Sequence, residues 1–102
     1  MEKAYILPLG TVVRLKEGSL PIMIVGRAPL YEDNGKMGYC DYAAVFYPQG
    51  LVDSSQFLFF NHEDIEEIIF EGYRSEEEVA FAEAYEENIQ KAAYPKIQAD
   101  EK

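Results

Sequence analysis

Apolar and polar residues alternate in short bursts along most of the chain and then settle into a helical period near its end. In "TVVRLK" (residues 11–16), Thr11, Val13 and Leu15 fall on one side of an extended backbone and Val12, Arg14 and Lys16 on the other, the pattern of a half-buried strand. "IMIVGR" (22–27) carries apolar residues on both sides, which predicts a central strand, and Gly26 within it permits a bulge or bend. "APLYEDNGKMG" reads as a loop, with Asn34-Gly35 suited to positive φ at a tight turn. "YCDYAAVFYP" then returns as one long strand closed by Pro48, and "QFLFF" (56–60) is the next, with aromatic side chains for both faces.

Asn61 precedes "HEDI" as an N-cap, so His62 to Ile65 is expected to form one helical turn before the last strand, "EEIIFEGY". Strict alternation there places Ile68 and Phe70 in the core and leaves His62, Glu63, Glu66 and Glu67 outside. Ser75 with Glu78 forms a capping box that opens a helix running to about Ala93. Its apolar stripe is Phe81, Tyr85, Ile89 and Ala92, widened by Val79 and Ala82. Pro95 ends it and "KIQADEK" is expected to fray. These elements predict an α+β, mainly β fold: a small, strongly bent five-stranded SH3-like barrel or sheet with a C-terminal α-helix. One compact domain is expected over residues 1–94, with strands over about 11–73, a helix over about 76–93 and a flexible tail at 95–102.

Composition narrows what such a domain does. With 102 residues, 48% apolar and 14% aromatic, the chain has the makings of one modest core and not of a disordered segment. Its single cysteine, Cys40, has no internal disulfide partner. "MEKAYILPLG" lacks the apolar core and cleavage site of a secretory signal, so a cytoplasmic location is expected. No apolar run approaches the roughly 20 residues that cross a bilayer.

Charge changes the picture more. The net −10 is uneven: residues 63–87 hold eleven acids against Arg74 alone, while residues 1–62 hold six acids and five bases. A field of that sign repels phosphate backbones and anionic lipid heads, which argues against nucleic acid and membrane as partners and for a basic or mixed protein surface.

Candidate chemistry is sparse. His62 and Glu66, four apart, share a helical face, but a metal site needs three or four ligands and no second His or Cys pair exists. Cys40 lies within a predicted strand and reads as a buried thiol rather than a nucleophile. The acids sit in a solvated run rather than among pocket residues that raise a pKa, and no glycine pattern forms a phosphate loop. Tyr73 and Glu77 match the Tyr-x-x-x-Asp/Glu spacing of type VII secretion substrates, a match that this many tyrosines and acids produce by chance. No catalytic, cofactor or metal residue is assigned, and no cofactor is expected.

"LPLGTVV", "PIMIVGR", "YCDYAAVFYP.G" and "FFNHEDIEEIIFEGY..EEE..F", in that order and over about residues 5–85, resemble a family of uncharacterised small cytoplasmic proteins of Gram-positive bacteria. Its members are encoded in type VII (ESX-like) secretion loci beside LXG-type toxins. The resemblance implies an accessory or chaperone-like adaptor that binds a toxin or its small helical partners before export, and supplies no catalytic residues. A second reading is an immunity protein that neutralises a toxin domain. From the residues themselves, the partner contact is expected on the sheet aromatics Tyr31, Tyr39 and Tyr42 and on the acidic helix start, Glu76, Glu77 and Glu78.

Overall fold

The computed structural model describes residues 6–33, 35–53, 56–91 and 94–97. In chain order its strands are β1 (Val12–Leu15), β2 (Ile22–Arg27), β3 (Leu30–Asp33), β4 (Lys36–Tyr39), β5 (Tyr42–Phe46), β6 (Leu58–Phe60) and β7 (Ile65–Phe70). A 3-10 turn over His62–Asp64 leads into β7, and the helix α1 spans Glu76–Lys91. Five strands form one antiparallel sheet in the order β6-β5-β2-β1-β7. That order, with a helical turn before the last strand, is the predicted SH3-like arrangement. The sheet is open, with β6 and β7 as its two edges. Apolar on both faces, β2 takes the centre, and Ile24 pairs with Ala44 while Gly26 pairs with Ala43, so the bulge falls beside the glycine as expected.

Residues read from the sequence as a loop form a separate hairpin instead, β3 with β4, pairing Leu30 with Tyr39 and Asp33 with Lys36. Gly35 supplies the turn with φ of 81°; Asn34 lies outside the described residues. The hairpin stands apart from the main sheet, with Leu30 and Met37 exposed, so burial imposes no clean alternation on its sequence. For the same reason the long strand expected from Tyr39 to Pro48 is interrupted at Cys40 and Asp41, where the chain leaves the hairpin and enters the sheet.

Alternation also misleads in β7. Ile68 and Phe70, expected in the core, are 48% and 61% exposed. Across the ladder Val12 pairs with Phe70 and Val13 with Ile68, so Ile69 is an extra residue on the bulged strand; a second shift leaves Glu66 extra as well. Adjacent Val12 and Val13 point to opposite faces, and therefore so do Ile68 and Phe70. Each bulge resets the parity on which the prediction rested.

The core comprises Ile6, Leu7, Val13, Ile22, Ile24, Tyr42, Ala44 and Phe60 from the sheet side and Ala82 and Tyr85 from α1, with Leu15, Leu58, Ile65 and Ile89 partly buried around it. Full burial of a side chain such as Phe60 stabilises by about 1.5–3 kcal/mol. On α1 the inward line is Ala82 and Tyr85, buried, with Glu78 and Ile89 partly buried beside them, rotated from the predicted stripe: Phe81 and Val79 are exposed. Ala92, at the end of that predicted stripe, lies outside the described residues. Pro95 to Ile97, read as the start of a frayed tail, are held along β4: Tyr39 N–H donates to the Pro95 carbonyl at 3.0 Å and Ile97 N–H to the Tyr39 carbonyl at 2.7 Å. Residues 98–102 lie outside the described residues. No helix among the described residues is long and apolar enough to cross a membrane.

Candidate functional site

The break between β4 and β5 places Asp41, 0% exposed, beneath the 3-10 turn and against α1. Its Oδ1 accepts the Tyr85 hydroxyl at 3.1 Å, and its Oδ2 accepts the His62 main-chain N–H at 2.9 Å and lies 3.2 Å from Lys96 Nζ. The Asp41 N–H donates to Asn61 Oδ1 at 3.0 Å, and Asn61 Nδ2 donates to the Ile97 carbonyl at 2.8 Å. Asn61 occupies the predicted N-cap position, where its N–H donates to Asp64 Oδ2 at 2.9 Å. A buried carboxylate is tolerable only with such a set of donors and a counter-charge.

Tyr42 continues the cluster. Its hydroxyl accepts the Leu7 N–H at 3.0 Å and lies 2.8 Å from His62 Nδ1. Beside the lone pair that takes the Leu7 N–H, the hydroxyl keeps a proton and a second lone pair, so either tautomer of the His62 ring completes this bond. Burial lowers the His62 pKa, outweighing the Asp41 and Glu63 carboxylates that pull it up. Burial likewise pushes the Tyr42 phenol well above its ordinary range. Desolvation acts to lower Lys96, but the Asp41 and Glu63 carboxylates more than offset it and its ammonium is favoured. Cys40 is the buried thiol expected; burial raises its pKa, and it bonds to the Tyr31 hydroxyl at 3.0 Å and the Ile97 carbonyl at 3.4 Å.

Carboxylate, phenol, imidazole and ammonium are the groups of acid–base chemistry, but their geometry here is that of a cross-link. Asp41 holds the His62 backbone rather than its ring, and the ring turns to Tyr42. The cluster thereby ties the segment at Leu7, the β4–β5 junction, the 3-10 turn, α1 and residues 95–97 into one unit. Among the described residues no three His, Cys, Asp or Glu side chains gather as metal ligands.

A second cluster fixes the start of α1. Glu78 receives two bonds of 2.7 Å from the Arg27 guanidinium and one of 2.9 Å from Arg74. Arg27 also donates to the Leu7 carbonyl and lies 4.2 Å from the centre of the Phe81 ring, while Arg74 donates to the Ile6 carbonyl. Ser75 Oγ accepts the Glu78 N–H at 3.1 Å, so the predicted cap is present while the Glu78 carboxylate is engaged by the two arginines.

These facts redistribute the expected contact residues. Tyr42 is wholly buried and Glu78 is enclosed by two guanidiniums, so neither offers a surface to a partner. Tyr31 stacks on Phe59, with centroids 4.3 Å apart, and Tyr39 is partly buried under the 95–97 segment. Glu76 and Glu77 face outward. Asp41, Lys96, Arg27 and Arg74 were not singled out from the sequence, and Asn61 only as a cap; an acid inside the apolar run "YCDYAAV" was the available sign of a buried, paired carboxylate.

Fold and clusters together define a small α+β domain of SH3-like order, braced by internal polar bonds. The chain belongs to the family described as Domain of unknown function (DUF4176), whose model matches residues 6–81. No curated protein and no solved structure matches it.

Proposed function

We propose that the protein is a non-catalytic, cytoplasmic protein-binding module, an accessory or chaperone-like adaptor for an LXG-type toxin of a type VII secretion system. The observation that carries this reading is a division of labour among side chains. The reactive groups around Asp41 bond one another across the interior, while β7 displays Glu66, Glu67, Ile68, Ile69 and Phe70 to the outside. Adjacent exposed large apolar groups bordered by polar residues are the kind of patch that marks a protein-binding surface.

An immunity role is the second reading, favoured by the concentration of negative charge in residues 63–87, which suits a basic toxin domain. The two separate by which part of the toxin is bound. The protein is co-expressed with the N-terminal LXG region of a toxin from the same genome and, separately, with its C-terminal domain. The adaptor reading expects co-purification with the N-terminal region and no rescue of growth; rescue through the C-terminal domain supports immunity, and association with neither region refutes both.

A further inference from the structure

We propose that the outer edge of β7 is a docking site for an extended segment of another protein, a short run of β-branched apolar residues flanked by lysine or arginine. This rests on the reading of the chain as a binding module. Among the described residues β7 pairs only with β1, and it ends the sheet. Every residue from Glu66 to Phe70 is exposed. An edge strand offers a row of main-chain donors and acceptors, and proteins usually guard such edges with lysine, proline or a covering element. "IEEIIF" contains neither residue, and Ile68 and Phe70 extend apolar surface from its two faces.

Charge selects the occupant. Along and beside the strand stand Glu63, Glu66, Glu67 and Glu71. The bases near them are already engaged: Arg14 on Glu67, Arg74 on Glu71 and Lys96 on Glu63. Pairing β7 with β7 of a second copy would bring together two segments that each hold eleven acids against Arg74 alone over residues 63–87, and like net charge opposes that association. The same net negative charge attracts a segment with basic flanks. The glutamates thus guard the edge against self-association and leave it open to a cationic strand, which would add main-chain bonds on one side and apolar contacts on both faces.

The test uses the full chain and the peptide Lys-Lys-Thr-Val-Thr-Val-Thr-Val-Lys-Lys, titrated by fluorescence anisotropy at low and high salt. Saturable binding that weakens with salt is expected. A glutamate-ended version, and a version N-methylated at alternate peptide nitrogens so that it cannot complete a ladder, should each bind about tenfold more weakly or worse. Glu66→Lys and Ile69→Lys, both at exposed positions, should weaken the lysine peptide similarly while leaving the circular dichroism spectrum unchanged. Absence of binding, equal binding of the N-methylated peptide, or indifference to both substitutions would overturn the proposal. The same variants against the LXG region separate the two readings. If that region binds wild type and both variants alike, the module reading stands and the β7 site falls; if only the peptide binds, the site stands and the adaptor reading falls.

Discussion

Three consecutive glutamates open α1, and the structure makes one of them unlike its neighbours. Glu76 and Glu77 are exposed, and their contribution is that of acids near the positive end of a helix dipole, typically about 0.3–1 kcal/mol each. Glu78 accepts three charged hydrogen bonds, and its side chain and that of Arg27 are 10% and 9% exposed. Breaking a buried ion pair costs about 3–5 kcal/mol, because the remaining charge stays desolvated. The Arg74 arm, 25% exposed, adds little after solvent screening. Arg27 keeps its bond to Leu7 and its place over Phe81, which tempers the loss. Glu78→Gln, which preserves volume but leaves one acceptor oxygen, should therefore cost about 2–4 kcal/mol, a large part of a small domain's roughly 5–15 kcal/mol. Urea unfolding of Glu76→Gln, Glu77→Gln and Glu78→Gln at two salt concentrations measures the contrast. The first two should differ little from wild type and lose their small effect in high salt; the third should persist. Three equal values, within about 0.5 kcal/mol, would refute the assignment of Glu78 as the residue that seats the helix. Arg27→Met with Glu78→Met should be milder than either change alone, since no unpaired charge is left behind.

Other consequences are equally direct. Phe60→Ala should cost about 3–5 kcal/mol and Phe70→Ala no more than about 1 kcal/mol, compared by thermal melts, because only the first empties a core position. His62 has a folded pKa below its ordinary 6.5, so the unfolded chain binds the extra proton first as pH falls; its stabilising contribution is complete above about pH 6.5 and is lost progressively below it. Urea midpoints of wild type and His62→Gln between about pH 7.5 and 5.5 should accordingly converge as the pH drops. At Gly38 an added methyl group would stand 2.6 Å from Ile97 Cγ1 and 2.8 Å from the Pro95 carbonyl, so Gly38→Ala should release residues 95–97, seen as faster amide exchange at Tyr39 and Ile97 with the sheet intact.

Much of the architecture is local and was legible from residues alone. Apolar residues on both sides of "IMIVGR" pointed to a central strand, which β2 is, although only its Ile22 and Ile24 face is fully buried; Asn61 before "HED" and Ser75 before "EEE" marked helical starts. Charge asymmetry and the lone thiol also needed no fold. What the tertiary structure decided was everything set by register and by distant partners. β7 became an edge strand exposed on both faces from Glu66 to Phe70, and its two bulges broke the alternation that had placed Ile68 and Phe70 together in the core. Three identical glutamates became two surface charges and one enclosed ion because Arg27, 51 residues away, lies under only one of them. Asp41 became the centre of a cluster through Tyr85, His62 and Lys96, none of them a sequence neighbour. Local periodicity reports which face a residue prefers; it cannot report what stands opposite that face, and the fold supplied those partners for Tyr42 and Glu78 while leaving the outer edge of β7 open among the described residues.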